Sequence, residues 1–190
     1  MNQFSRVETE PLRVRLRAEH FMFLDAHGAF ADYGRVELLE GELLYMNAQY
    51  RPHMVAKDEL AYRLRRAIEA AGIALFVGTE GSVRLSDIDV PQPDIVLTSE
   101  PGGTGPIPGA SVTLLVEVAD STLDHDLGRK AMMYAHASIP EYWVVDLNAR
   151  VIHQLSTPAP SGFEQQVQIP FGDPITSVAV SGLTVATDRL

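Results

Sequence analysis

The sequence contains no cysteine. Disulfide bonds, thiolate nucleophiles and zinc sites built on cysteine are therefore excluded. No apolar run approaches the roughly 20 residues that a membrane-spanning helix requires. The N-terminus is polar and acidic, unlike a secretory signal. We therefore expect a cytoplasmic protein that has no membrane partner.

Basic residues are also scarce, with 15 Lys and Arg against 25 Asp and Glu and a formal net charge of −10. Proteins usually contact a nucleic-acid backbone through Lys and Arg, so this charge lowers the expected affinity for DNA. A bound divalent cation can supply positive charge locally. An acidic metal-dependent enzyme that acts on a phosphodiester therefore remains compatible with the composition.

The chain has 190 residues, of which 46% are hydrophobic. This length and composition are typical of one globular domain with a real core, so we predict a single domain over residues 1–190. Pro- and Gly-rich loops are predicted at 101–109 and 156–162. Neither loop separates segments that are long enough to fold alone.

Hydrophobic periodicity predicts helices at residues 17–27, 52–71 and 126–137. Short apolar runs predict strands at 36–39, 42–46, 73–77, 82–85, 94–98, 113–119, 141–146, 150–155, 164–169 and 177–180. The order of these elements predicts an α+β fold, with a central mixed or mostly antiparallel sheet flanked by helices.

Two carboxylates are expected to meet at one edge of this sheet. Asp94 opens the strand at 94–98, and Glu117 lies near the end of the strand at 113–119. If these strands pair antiparallel, the start of the first lies beside the end of the second. Glu117 interrupts an apolar run, and a buried carboxylate needs a cation, a proton or hydrogen-bond donors. The pair therefore predicts a site for Mg²⁺ or Mn²⁺, because such hard cations bind a few carboxylate oxygens and retain water.

Lys130 is the amine expected near this metal. Asp126, Lys130 and Tyr134 are spaced by four residues, so they share one face of the predicted helix. The cation would polarise a phosphoryl oxygen and lower the pKa of the attacking water. A nearby lysine would orient that water or stabilise the developing charge. A solvated helix face is the structural alternative for Lys130.

An ordered set of residues resembles the pattern of a known family. The matching positions are Val36 to Glu42, His53, Pro93-Asp94, Glu117-Val118, Ser121-Thr122, Asp126, Lys130, Tyr134 and Pro140 to Asp146. The pattern resembles the Uma-type family of restriction endonucleases, long catalogued as a domain of unknown function and assigned to the PD-(D/E)XK nuclease superfamily. The resemblance covers about residues 18–155, and the C-terminal strands at 160–190 follow it.

The resemblance implies a restriction-endonuclease-like core, a metal-dependent endonuclease that hydrolyses DNA, and a homodimer. It implies Asp94 and Glu117 as metal ligands and Lys130 as the catalytic lysine. The supporting residues that it implies are Glu37, His53, Asp126 and Tyr134. Structural alternatives are a solvent-facing Glu37, a surface or capping His53, and an Asp126 that caps a helix.

Two positions depart from the pattern. The superfamily usually places its lysine two residues after the glutamate, where this chain has Ala119, and the next residue is Asp120. Two alternatives therefore stay open. One is a catalytically inactive nuclease-fold protein that binds or regulates, and the other is a metal-dependent hydrolase of a small phosphoester.

Overall fold

A computed structural model describes residues 13–46 and 49–190. The strands are β1 (Arg35–Leu39), β2 (Glu42–Met46), β3 (Phe76–Thr79), β4 (Val83–Arg84), β5 (Ile95–Thr98), β6 (Ile107–Pro108), β7 (Val112–Ala119), β8 (Glu141–Asp146), β9 (Val151–Ala159), β10 (Gly162–Pro170), β11 (Ile175–Thr176) and β12 (Thr184–Val185). The helices are α1 (Ala18–Ala26), α2 (Arg51–Ala71), α3 (Leu123–His125) and α4 (Ala131–His136), with a π-helical turn at Asp126–Lys130 between the last two. No helix in these ranges is long and apolar enough to cross a bilayer.

The central sheet has six strands in the order β10-β9-β8-β7-β5-β3. Strands β7 and β8 are parallel, and every other neighbouring pair is antiparallel. A parallel pair needs a crossover connection, which α3, the π-helical turn and α4 supply. The predicted α+β class, with a mixed and mostly antiparallel sheet flanked by helices, is confirmed.

Each face of this sheet is covered by a helical layer. Side chains alternate along β7, so Val116 packs with Leu64 of α2 on one face. On the other face, Leu115 packs in a cluster with Tyr134 of α4. Glu117 lies two residues after Leu115 and therefore points into the second layer. An acidic side chain is thus held inside an otherwise apolar layer.

The hairpin of β1 and β2 forms a separate two-stranded sheet beside the central one. Its two-residue turn has positive φ at both Glu40 (52°) and Gly41 (78°), the conformation that matches the twist of a tight hairpin. A side chain at Gly41 would also lie 2.7 Å from the Cβ of Arg15. The hairpin predicted at 36–39 and 42–46 is confirmed, and so are the helices at 17–27 and 52–71.

Several predicted boundaries were wrong. The strand predicted at 73–77 begins only at Phe76, and the one at 82–85 is reduced to Val83–Arg84, paired with β6 outside the central sheet. The loop predicted at 156–162 is largely strand, because β9 continues to Ala159. Pro158 is tolerated there because the pairing of β8 with β9 ends at Ser156, so no ladder bond from its nitrogen is lost.

The strand predicted at 177–180 is absent from the described fold, and Glu141 explains why. The buried Glu141 carboxylate accepts hydrogen bonds from the Ser177 hydroxyl and from the Ala179 N–H. On its other oxygen it accepts bonds from Trp143 Nε1 at 2.7 Å and Gln154 Nε2 at 2.6 Å. The Ala179 N–H in the middle of this segment therefore bonds a buried carboxylate rather than a neighbouring strand.

We expect Glu141→Gln to lower the free energy of unfolding by about 2 kcal/mol, because a hydrogen bond to a charged group contributes about 1.5–3 kcal/mol. The C-terminal segment at 175–185 should lose amide protection before the central sheet does. Urea denaturation and hydrogen exchange measure the two effects. Glu164→Gln, at an exposed position on β10, is the matched control and should change stability by less than about 0.5 kcal/mol. Equal protection of 175–185 in both variants would contradict the anchoring role.

Candidate active site

A cleft of about 480 Å³ opens where the end of β7 meets the β1–β2 hairpin and the start of α2. We call it the acidic cleft, because its lining contains the four carboxylates of Asp94, Glu117, Asp120 and Asp126. The other lining side chains that bear on its chemistry are those of Arg35, Tyr45, Gln49, Tyr50, His53 and Thr122. The cleft therefore collects residues from four separate stretches of the chain.

The antiparallel pairing of β5 and β7 brings two of these carboxylates together. Ile95 pairs with Val116, so the residue before β5 lies beside the end of β7. The N–H of Val118 donates to Oδ2 of Asp94 at 2.8 Å. The predicted pairing of these strands is confirmed, and Asp94 is a backbone neighbour of Glu117 across the sheet.

Asp94 is surrounded by hydrogen-bond donors. Its Oδ1 accepts bonds from Arg35 Nη1 at 3.0 Å and Gln49 Nε2 at 2.9 Å. Its Oδ2 accepts from Val118 and lies 3.0 Å from His53 Nε2. Burial by itself raises the pKa of Asp94, but His53, Arg35 and the Val118 N–H outweigh burial and hold that pKa below its usual range. Asp94 is therefore ionised, with three hydrogen bonds and the close His53 nitrogen around its two oxygens.

Glu117 is bonded on one oxygen only. Its Oε1 accepts bonds from Lys130 Nζ at 2.8 Å and from the Tyr134 hydroxyl at 2.9 Å. None of the described residues donates a hydrogen bond to its Oε2. Burial, assisted by the neighbouring carboxylates and opposed by Lys130, raises the pKa of Glu117 to about 8. Glu117 therefore has one oxygen without a hydrogen-bond donor, and nearby cations do not fully compensate its negative charge.

Lys130 is fully buried, so the alternative of a solvated helix face was wrong. Its Nζ lies 3.1 Å from Oε1 of Glu37, which also accepts the N–H of Gln92 at 2.8 Å. Burial lowers the pKa of Lys130, but the charges of Glu117 and Glu37 outweigh it and raise that pKa. The amine is therefore a cation held between two carboxylates. Glu37 is also buried rather than facing solvent, and its Oε2 has no partner among the described residues.

The helix predicted at 126–137 is confirmed, but its first turn, which Asp126 begins, is π-helical rather than α-helical. The N–H of Ala131 reaches back five residues to the Asp126 carbonyl, which also accepts the Tyr142 hydroxyl at 3.2 Å. The Asp126 carboxylate accepts the Thr122 hydroxyl at 2.6 Å, so it caps no helix. Burial, opposed by Lys130 and Thr122, raises the pKa of Asp126 to about 6.

His53 is buried against Asp94, so the surface and capping alternatives were wrong for it. The sequence reasoning missed Arg35 and Gln49, which both contact Asp94. Arg35 had a usable signal, because it lies two residues before Glu37 in β1 and so faces the same side. Gln49 precedes α2 in a segment without a periodic pattern, and no sequence signal indicated it.

A divalent cation fits part of this donor set. In residues 13–46 and 49–190, no three His, Asp or Glu side chains converge as a ready set of metal ligands. Mg²⁺ does not require three, because it commonly binds one or two carboxylates and keeps several waters. Glu117 and Asp126, whose raised pKa values reflect buried and crowded negative charge, are the carboxyls that fit. Asp94 fits only after one of its donors is released.

We expect Lys130→Met to destabilise the protein by about 3–5 kcal/mol near pH 8, because it leaves buried carboxylates without their cation. The deficit should grow as the pH rises above about 8, because Lys130 lowers the pKa of Glu117 to about 8 and its loss lets that pKa rise further. Above about pH 8 the folded variant still binds a proton at Glu117 that the folded parent and both unfolded chains have released, so alkali destabilises the variant more than the parent. Thermal denaturation at several pH values measures this trend.

Arg129→Met is the matched control, since Arg129 contacts Glu40 and Glu42 near the surface. Exposed ion pairs contribute about 0–1 kcal/mol, so this variant should change little. A pH-independent loss in Lys130→Met, or an equal loss in Arg129→Met, would contradict the electrostatic role of Lys130.

Comparison with known proteins identifies the family. The fold is similar to a crystal structure described as a "putative nuclease belonging to DUF820" from Anabaena variabilis, with a TM-score of 0.63 and 11% sequence identity. That match covers 81% of this chain and 88% of the other, and at such identity it shows the fold alone. No curated protein matches the chain. The sequence model of the Uma2 family, described as "Putative restriction endonuclease", matches residues 20–188, and the chain therefore belongs to the Uma2 family.

Proposed function

We propose that this chain is a metal-dependent endonuclease that hydrolyses phosphodiester bonds in DNA, with Mg²⁺ or Mn²⁺ as its cofactor. The observation that carries the proposal is the crowding of carboxylates at the end of β7, in a chain of the Uma2 family. Glu117 lies on β7 and Asp94 directly precedes β5, and these two strands are paired in the central sheet. The backbone that positions both carboxylates is therefore rigid.

Charge balance supports a cation at this place. The buried carboxylates at or directly behind the acidic cleft are those of Glu37, Asp94, Glu117 and Asp126, and the permanent cations beside them are Arg35 and Lys130. Negative charge therefore exceeds positive charge in a buried environment, where it costs most. Burial first, and then this excess of negative charge, raises the pKa of Glu117 and of Asp126. A divalent cation would restore neutrality without adding a proton.

We assign Glu117 and Asp94 as metal ligands, with Asp126 in support. Asp94 would gain an open oxygen if Gln49 or His53 moved away from it. When bound, the metal would polarise a phosphoryl oxygen and lower the pKa of a water. Lys130 and Tyr134 both donate to Glu117 Oε1, which leaves Oε2 directed elsewhere. They are positioning residues, because they act through Glu117.

A second candidate function is a nuclease-fold protein that binds without cleaving. The crowding of Asp94 by three hydrogen-bond donors and the His53 nitrogen favours it. Ala119, at the position where the superfamily usually has its lysine, favours it as well. Such a protein would bind metal or DNA and show no turnover.

We expect the purified chain to nick supercoiled plasmid at low salt with Mg²⁺ or Mn²⁺, and Glu117→Gln to reduce the rate by about 100-fold or more. Losses of about 10–100-fold follow even when only a partner of a metal ligand is changed. Gel electrophoresis of timed samples measures the rate. Glutamine has the shape and neutrality of the protonated carboxyl, so the fold should survive. Glu69→Gln, on the exposed side of α2, is the control and should cleave like the parent.

Metal binding provides a second readout that does not depend on cleavage. A cation at 100 times its dissociation constant stabilises the folded chain by about 2.7 kcal/mol. Mn²⁺ should therefore raise the melting temperature of the parent and of Glu69→Gln, and leave that of Glu117→Gln unchanged. Stabilisation at Glu117 without cleavage would favour the non-catalytic protein. Absence of both effects would contradict the metal site.

A further inference from the structure

A second cleft, of about 340 Å³, lies between the start of α2 and the turn that joins β8 to β9. We call it the basic cleft, because its lining contains Arg51, Arg150 and Arg189 and no acidic side chain. Val55 and Phe171 contribute apolar surface to the same lining. Three arginines therefore line one depression of a protein whose net charge is −10.

These arginines differ from most other cations of the described chain. Within residues 13–46 and 49–190, most Lys and Arg side chains lie within 4.0 Å of a carboxylate. Arg51 and Arg150 make no such ion pair there, and Arg189 only reaches its neighbour Asp188, at 4.0 Å. The positive charge of the basic cleft is therefore largely available to an external anion.

Local structure disfavours an arginine at each of the three positions. Arg51 is the first residue of α2, whose first turn contains no acidic residue, and the positive end of the helix dipole repels a cation. Arg150 and Arg189 have φ angles of 56° and 62°, where glycine or asparagine is preferred. Arg150 also stacks over Phe171, with its Cζ 5.0 Å from the ring centroid. Residues that are unfavourable for their local backbone or helix position are expected at functional sites.

The basic cleft adjoins the acidic cleft. Tyr50 lines the acidic cleft, and the next residue, Arg51, lines the basic one. On the opposite side, the N–H of Leu147 donates to the Ala119 carbonyl at 3.0 Å, next to Asp120 of the acidic cleft. A ligand that extends over more than one phosphate could therefore contact both clefts at once.

We propose that Arg51, Arg150 and Arg189 bind the phosphate backbone of duplex DNA beside the phosphodiester that the acidic cleft cleaves. The proposal rests on the proposed function, because that function makes DNA the substrate. Guanidinium groups bind phosphate through paired N–H donors. The basic cleft also explains how a protein of net negative charge can bind DNA. The whole protein does not attract DNA at long range, but the three arginines contact its phosphates locally and orient the strand.

The test uses the full chain, a fluorescein-labelled 20-base-pair duplex and EDTA, so that no metal contributes. Fluorescence anisotropy gives the affinity at several NaCl concentrations. Each phosphate contact contributes about 0.9 to the slope of log K against log salt. We expect the double variant Arg51→Gln/Arg150→Asn to lower the magnitude of the slope by about 2 and to weaken binding at low salt. Asparagine tolerates the positive φ of residue 150, and Arg51 is exposed, so the fold should be retained.

Arg66→Gln removes one exposed charge from α2 outside the basic cleft and is the control. It should keep the parent slope. An equal slope in parent and double variant, an equal loss in Arg66→Gln, or no binding of duplex by the parent would each overturn the proposal. Stabilisation of the parent by inorganic phosphate without duplex binding would assign a free-phosphate site and overturn it too.

Failure of the basic-cleft proposal can be distinguished from failure of the endonuclease proposal. If the parent binds duplex through Arg51 and Arg150 but does not cleave plasmid with Mn²⁺, the basic cleft stands and the endonuclease proposal fails. If the parent cleaves and the double variant binds and cleaves equally well, the endonuclease proposal stands and the basic cleft fails.

Discussion

A carboxylate buried in the middle of a strand has to be compensated, and Glu117 imposes that requirement on the rest of the fold. Its position on β7 is fixed by hydrogen bonds on both sides of the strand. Lys130 and Tyr134 bring the compensation from the crossover between β7 and β8. Glu37 then fixes Lys130 from the hairpin. Contacts to Glu117 and Lys130 therefore connect β7, the crossover after it and the β1–β2 hairpin. This explains why the site is built from elements of the fold rather than from a mobile loop.

Much of this arrangement was readable from periodicity. The meeting of Asp94 with Glu117 was expected on the condition that their strands pair antiparallel, and β5 and β7 do pair in this way. The burial of Lys130 and Glu37 could not be predicted from the sequence. Hydrophobic periodicity indicates on which face of a strand or helix a residue lies, but not which other element covers that face. The π-helical turn was also not predicted, because residues spaced by four are compatible with an α-helix and do not reveal a local hydrogen bond between residues i and i+5. The C-terminal segment was mispredicted because Glu141, distant in sequence, binds its backbone.

The distribution of charge matters more than its total. The net charge of −10 suggested weak attraction to DNA, yet the basic and acidic clefts lie side by side at one end of the parallel pair β7 and β8. The carboxylates of the acidic cleft would repel a phosphate unless a cation covers them. Under the proposed function, the acidic cleft therefore needs a bound metal to attract a phosphate, whereas the basic cleft does not. The two proposals thus place DNA binding and hydrolysis on neighbouring surfaces with opposite charge.

The π-helical turn at Asp126–Lys130 makes this part of the chain sensitive to length. Each residue of an α-helix advances the direction of side chains by about 100°. Deleting one residue inside the turn would close it into an α-helix and rotate Asp126 relative to Lys130, while α4 stays packed on the sheet. The loop between β5 and β7 includes exposed glycines at 102–105, where added or lost residues disturb no buried contact. Insertions and deletions among relatives should therefore gather in that loop and spare the π-helical turn, even where the individual side chains have changed.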